Sequence, residues 1–177
     1  IHCRTESETP LVSSPVLSVV VPAYNNGGTL AETLKSILDQ DLRDLELIVA
    51  DHASTDDTRA VMETFGDDPR VTLLDTTAGG GAGRNWSRVT EAATGDYLKL
   101  VCGDDVLRPG VLRRQITLLE SEGAVLTACR RDIVDATGTT LKSGWGLRGL
   151  STPMTGAAAA RRSVRAGSNL FGEPASV

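Results

Sequence analysis

The stretch LSVVVPAYNNGGTLAETLKSILDQDLRDLELIVA, Leu17 to Ala50, decides the fold. Its opening, VLSVVVP from Val16 to Pro22, is a short apolar, β-branched run closed by proline, the pattern of a strand buried on both faces. The next segment places Leu30, Leu34, Ile37 and Leu38 on one helical stripe, with Thr29 or Gly28 near its start. LELIVA then reads as a second strand. A strand, an amphipathic helix and a second buried strand within so few residues predict a parallel pair joined by a crossover helix.

The same alternation continues downstream. STDDTRAVMETFG predicts a helix capped by Ser54 or Thr55 and stopped at Gly66. RVTLLD is a third strand, followed by the glycine-rich loop TTAGGGAG and a helix from Arg84 to a stop at Gly95. DYLKLVC is a fourth strand. RPGVLRRQITLLESEG is a helix with Pro109 near its N-terminus. AVLTACRRDIVDATGTTL reads as a strand plus a turn at Thr137–Gly138, and residues 142–177 as loops around one Ala/Arg-rich helix. The expected class is α/β, a mostly parallel sheet flanked by helices. Ligands in such sheets lie beyond the carboxyl ends of the strands. PAYNN, DHAST and CGDD therefore converge on one edge.

Composition bounds the function. The 177 residues carry 18 basic and 23 acidic side chains, a net charge of −5, which argues against sequence-independent nucleic-acid binding. A local site for a small anion is compatible with that balance. Cys3, Cys102 and Cys129 are odd in number, lack metal-ligand spacing, and read as reduced thiols of a cytoplasmic chain. No apolar run reaches the roughly 20 residues of a membrane span. Peripheral association at the inner face of a membrane is compatible with this. Residues 1–15 are polar and read as a flexible lead-in, without a signal-peptide pattern.

Within LKLVCGDDVLRPG, Leu98 to Gly110, the adjacent carboxylates Asp104 and Asp105 end a strand. Carboxylate oxygens suit Mg²⁺ or Mn²⁺, which commonly bridge to a substrate's phosphates, and a cation would relieve the repulsion between the pair. A turn that starts the next helix explains the pair equally well. Asp51, at the end of strand two, can accept hydrogen bonds from a ribose or a base edge, or serve the following helix as a cap. Asp56 and Asp57 are expected to complement a helix dipole and nothing more. AGGGAGRN matches neither GxGxxG nor GxxxxGK[ST], but Arg84 there can grip a phosphate or a base carbonyl. Tyr24 can stack on a base or simply cover the sheet end. A phosphoacceptor receiver would need acids after strand one, where PAYNN stands. A nucleotidyltransferase would need a basic glycine loop, and NNGG has no basic residue.

Together, LSVVVPAYNN through ADHASTDDT, then GGGAGRN and GDYLKLVCGDDVLRPG, resemble the family 2 glycosyltransferases of the GT-A (Rossmann-like) fold. That family shows V-S-V-V-I-P-x-Y-N, V-V-D-D-G-S-x-D-x-T, a glycine before A-R-N, and G-E-Y-I-x-F-L-D-x-D-D-x-x-x-P, in this order and spacing. The resemblance implies inverting, metal-assisted transfer of a hexose from a nucleotide-diphosphate sugar, expected to be a UDP-sugar. The acceptor would be a saccharide, lipid-linked or other hydroxyl, in polysaccharide or glycoconjugate biosynthesis. It also implies site roles. Pro22, Ala23 and Tyr24 would lie against the base, Asp51 and His52 would hold uracil or ribose, and Arg84 would contact the nucleotide. Asp104 and Asp105 would serve ribose and metal (Mn²⁺ or Mg²⁺), with Asp105 the principal ligand.

Three departures stand out. His52 replaces the second acid of D-D-G-S, with Ala53 for its glycine. Cys102 replaces the first acid of D-x-D-D. The family's general base lies further downstream, and NLFGEPASV ends where another core strand would begin, as in a truncated chain. Glu173 is the remaining candidate base. The expected layout is a donor-binding core at 16–135 and the start of an acceptor-side region at 136–177. The altered acids leave a non-catalytic nucleotide-sugar-binding or scaffold domain as the alternative.

Overall fold

A computed structural model describes residues 15–135, 137–146 and 152–167. Four strands form one parallel sheet in the order β3-β2-β1-β4: β1 (Leu17–Ala23), β2 (Leu45–Asp51), β3 (Val71–Leu74) and β4 (Tyr97–Leu100). Leu17 pairs with Leu45 on one side and Tyr97 on the other, so β1 is central and every one of its residues is buried. This is why its sequence is continuously apolar rather than alternating.

The pleat divides the strands between two cores. Leu17, Val19, Val21, Leu47 and Val49 pack with Leu30, Leu34 and Ile37 of α1 (Leu30–Leu38) and with Leu112, Ile116 and Leu119. Those last three belong to α4 (Val111–Glu122). Val20, Ile48 and Ala50 pack on the opposite face with Val89 of α3 (Gly81–Glu91). Helices cover both faces, as the strand–helix alternation requires.

Four local expectations change. The helix expected from Ser54 starts only at Thr58, as α2 (Thr58–Glu63), because residues 54–56 bond the loop after β1 instead. The third helix begins inside the glycine run, at Gly81 rather than Arg84, after Gly79 and Gly80 turn with φ of 81° each. β4 ends at Leu100, two residues before Cys102. Residues 140–145, read as turn and loop, form β6 (Thr140–Trp145), antiparallel to β5 (Arg131–Val134). That hairpin lacks a buried face to mark it in sequence. Its turn is closed by Asp135, which accepts from the N–H groups of Thr137 and Thr139. The Ala/Arg-rich helix is α5 (Gly156–Ala166), capped by the Thr155 hydroxyl.

Candidate functional site

The ends of β1 and β2 and the start of α3 enclose a cleft of about 590 Å³. Pro22, Ala23, Tyr24, His52, Ala53, Asn85 and Trp86 are among its walls. Tyr24 and Trp86 are the large aromatic surfaces here, and Tyr24 is 56% exposed. The Tyr24 and His52 rings meet edge to face, 6.2 Å between centroids.

Asn85 holds α3 across the cleft floor. Its side chain is 2% exposed, and Nδ2 donates to the carbonyl oxygens of Ala23 (3.3 Å) and Ala50 (3.0 Å). These carbonyls lie on neighbouring strands where the sheet ends, so one amide bridges β1 and β2. The sequence reading singled out Arg84 and passed over its neighbours Asn85 and Trp86. The signal was the Arg-Asn pair itself, since an amide in a helix facing a sheet must find partners.

The loops after β1 and β2 are laced together. The Asp51 carboxylate accepts from the N–H and hydroxyl of Ser54, and Ser54 Oγ in turn accepts from the N–H of Asn25 at 2.9 Å. Asn25 Oδ1 accepts from the N–H of Thr55 at 2.9 Å. Asn25 and Ala53 both adopt left-handed backbone, φ 53° and 55°. Asparagine tolerates this conformation, whereas alanine is strained by about 1 kcal/mol. Asp56, expected only to complement a helix dipole, instead accepts from the N–H of Gly27 and from Thr58. Those bonds, the Thr58 hydroxyl first, hold its carboxyl below the ordinary range.

Of the residues expected to bind the donor, Pro22, Ala23, Tyr24 and His52 line the cleft. Asp51 is 2% exposed and turned toward Ser54 and Thr76. Its role as a cap also differs from expectation: it closes a turn on Ser54, while the position before α2 is Asp57. Arg84 folds back on its own loop, its guanidinium donating to the Ala78 carbonyl at 3.3 Å. A Cβ at Gly80 would come within 2.6 Å of Arg84 Cδ, so this loop admits only glycine there. Glu173 lies outside the described residues.

The acidic pair stands on the other side of β1, in the turn after β4. Possible ligand atoms of Cys102, Asp104 and Asp105 lie within 4.8 Å of one another. Asp104 is exposed and Asp105 half-buried. Burial pushes the Asp105 carboxyl above its ordinary range, the charge of Asp104 adds to this, and hydrogen bonding from Cys102 and the charge of Arg131 oppose it. Two carboxylates at this spacing, one destabilised as an anion, suit a hard divalent cation. The turn is anchored from the loop after β1. Thr29 Oγ1 donates to the Gly103 carbonyl at 2.9 Å, and Asn26 packs where a Gly103 side chain would stand.

Lys99 escaped the sequence reading because it sits within an apolar strand. Its side chain is fully buried, and burial lowers its pKa to about 8, against the opposing influence of Cys129 and Asp105. A charged residue inside the run YLKLV was the signal.

Comparison with known proteins gives consistent matches. The family model described as glycosyl transferase family 2 matches residues 18–167. The succinoglycan biosynthesis protein ExoO of Rhizobium meliloti is 35% identical over 130 residues, 72% of this chain and 36% of that protein. A Campylobacter jejuni GalNAc(5)-diNAcBac-PP-undecaprenol beta-1,3-glucosyltransferase is 37% identical over 100 residues, 55% of this chain and 32% of the relative. Among solved structures, the mannosyltransferase PcManGT of Pyrobaculum calidifontis, in complex with GDP-Man and Mn²⁺, superposes with a TM-score of 0.60. It is 25% identical, over 68% of this chain and 37% of that one. The chain thus spans about a third of the length of these relatives.

Proposed function

The chain belongs to glycosyl transferase family 2, with the GT-A fold, and from that premise we propose that it forms the donor half of an inverting hexosyltransferase. The observation that carries the reading is the shared edge: an aromatic-walled cleft and a carboxylate pair stand at the carboxyl ends of adjacent parallel strands. The donor is a nucleotide-diphosphate sugar, read as a UDP-sugar. Tyr24 and Trp86 flank the base, with Pro22, Ala23 and His52 beside it. Asp51 fixes the loops that carry these groups, and Arg84 at the start of α3 is placed to meet the nucleotide by swinging off Ala78.

Asp104 is assigned to the ribose and, with Asp105, to a divalent cation, Mn²⁺ or Mg²⁺. When bound, such an ion offsets the negative charge that builds on the departing diphosphate. The half-buried Asp105 would hold such a cation together with Asp104, and the Thr29 bond to Gly103 keeps the pair in place. Inversion requires the acceptor hydroxyl to attack opposite the diphosphate while a base takes its proton. No base is assigned, since Glu173 lies outside the described residues.

Residues 16–135 are the donor-binding core in this reading, and 136–177 begin the acceptor side. The acceptor is a saccharide or lipid-linked hydroxyl, met in the cytoplasm at the inner face of the membrane. No helix among the described residues is long and apolar enough to cross a membrane.

The test is calorimetric titration of nucleotide diphosphates with and without Mn²⁺, repeated for Asp105→Asn. Metal-dependent binding that Asp105→Asn abolishes is the expected result. Absence of metal-dependent binding in the unmodified chain refutes the proposal. The replaced acids, His52 and Cys102, favour a binding domain without turnover as the second reading. Sugar transfer by the longest natural form of the chain separates the two.

A further inference from the structure

His52 carries a hydrogen-bonding anomaly inside the cleft. The ring is half-buried in the wall, yet its Nδ1 is buried with no hydrogen-bond partner. No hydrogen bond joins Nε2 to any described residue either, and Nε2 is not buried with Nδ1, so it is the accessible nitrogen of a ring that lines the cleft. The ring is held in place by its edge-to-face contact with Tyr24 and by the backbone, where the His52 N–H donates to the Ala23 carbonyl at 3.0 Å.

An imidazole with one proton offers one N–H and one lone pair, and the surroundings choose which nitrogen carries which. A buried N–H without an acceptor is rarer and more costly than an under-used lone pair. The proton therefore belongs on Nε2, and the lone pair is the group left buried on Nδ1. His52 thus presents a donor to the cleft. Of the other wall residues, Pro22, Ala23, Ala53, Ala78 and Ala82 have no side-chain polar atom, and the Asn85 amide is taken up by the Ala23 and Ala50 carbonyls. A carboxylate at the same position, as in the family pattern, can only accept. Histidine here reverses the polarity of that point in the wall.

We infer that His52 is a specificity-determining residue that donates its Nε2–H to the oxygen at which keto and amino bases differ, O4 of uracil or O6 of guanine. It thereby selects keto bases, uracil or guanine, over their amino counterparts, cytosine and adenine. The inference rests on the reading of the cleft as the nucleotide site. A buried donor facing an amine is left unpaired, which is worth about tenfold or more in affinity.

The experiment is calorimetry on the full 177-residue chain with Mn²⁺, comparing UDP with CDP and GDP with ADP, for the unmodified protein and His52→Leu. The unmodified chain should prefer the keto member of any pair it binds by about tenfold or more. His52→Leu should lose that preference, because its side chain neither donates to a carbonyl nor opposes an amine. Nitrogen-15 NMR should show the His52 proton on Nε2. Whichever pair is discriminated tells whether uracil or guanine is the base. Equal binding within each pair overturns the inference alone, as does a preference unchanged in His52→Leu or a proton on Nδ1. Failure of every nucleotide to bind overturns the nucleotide reading of the cleft and this inference with it.

Discussion

Thr29 Oγ1 donates to the carbonyl oxygen of Gly103 at 2.9 Å, joining the loop after β1 to the acidic turn after β4 across 74 positions of sequence. The cleft and the carboxylate pair are thus positioned by one segment, residues 24–29. Thr29→Val removes the bond while keeping the shape, and should cost about 1 kcal/mol of stability. Metal-dependent nucleotide binding should weaken with it. Gly103→Ala should do more harm, because its Cβ would fall 2.7 Å from Asn26 Oδ1. Urea unfolding and calorimetry check both; unchanged metal dependence in Gly103→Ala would count against the coupling.

Ala53 holds a φ of 55°. Ala53→Gly relieves that conformation, less the entropy glycine adds to the unfolded chain, and should stabilise the protein by about 0.5–1 kcal/mol. A rise in the urea midpoint at constant slope is the expected reading, and a fall would show that the Ala53 methyl group packs usefully.

Asn85→Ala removes the buried amide that bridges the Ala23 and Ala50 carbonyls, the first of which keeps the His52 N–H, and should destabilise by about 1–2 kcal/mol. Because both acceptors stand at the cleft floor, nucleotide affinity should fall as well. Asn85→Asp tests the same bonds with little change in size and should be no better tolerated, since a carboxylate cannot donate.

Trp86→Ala should weaken nucleotide binding by about 1–3 kcal/mol if the ring flanks the base, with little effect on folding, since the side chain is partly exposed. Unaltered affinity would remove Trp86 from the base site.

Lys99 has a folded-state pKa near 8 against an ordinary 10.5. Between those values the unfolded chain binds more protons than the native one, so stability must rise with pH across that window. Below about 8 both states are protonated and the full penalty of the buried ammonium applies. The rise should amount to about 3 kcal/mol. Lys99→Met should abolish it and be neutral or stabilising near neutral pH. Urea unfolding as a function of pH measures this, and equal slopes in the two proteins would refute it.

The main sheet and its order of helices were readable because their causes are local. The continuous apolar runs of β1 and β2 and the stripe Leu30, Leu34, Ile37, Leu38 report burial directly. The start of α2 and the second strand of the hairpin β5–β6 differ from the sequence reading for the opposite reason. Residues 54–56 are spent on bonds to Asn25 and Gly27, which lie some 30 positions away, and β6 shows no apolar alternation. At the site, Tyr24 and His52 stood at strand ends where any ligand of such a sheet must bind. Trp86 and Asn85 became visible only when α3 was laid across β1 and β2.

The sequence by itself determined the parallel α/β architecture and the gathering of PAYNN, DHAST and CGDD at one edge, because hydrophobic period and the alternation of strands and helices are written along the chain. Its motifs carry the resemblance to the family. Only the tertiary structure decided how each polar side chain spends its hydrogen bonds. Asp51 is turned to Ser54 and Thr76, Arg84 lies on Ala78, and His52 is left with its buried nitrogen unpaired. The partners in those bonds come from different strands and loops, and no spacing along one chain can specify which of them a folded site brings within reach.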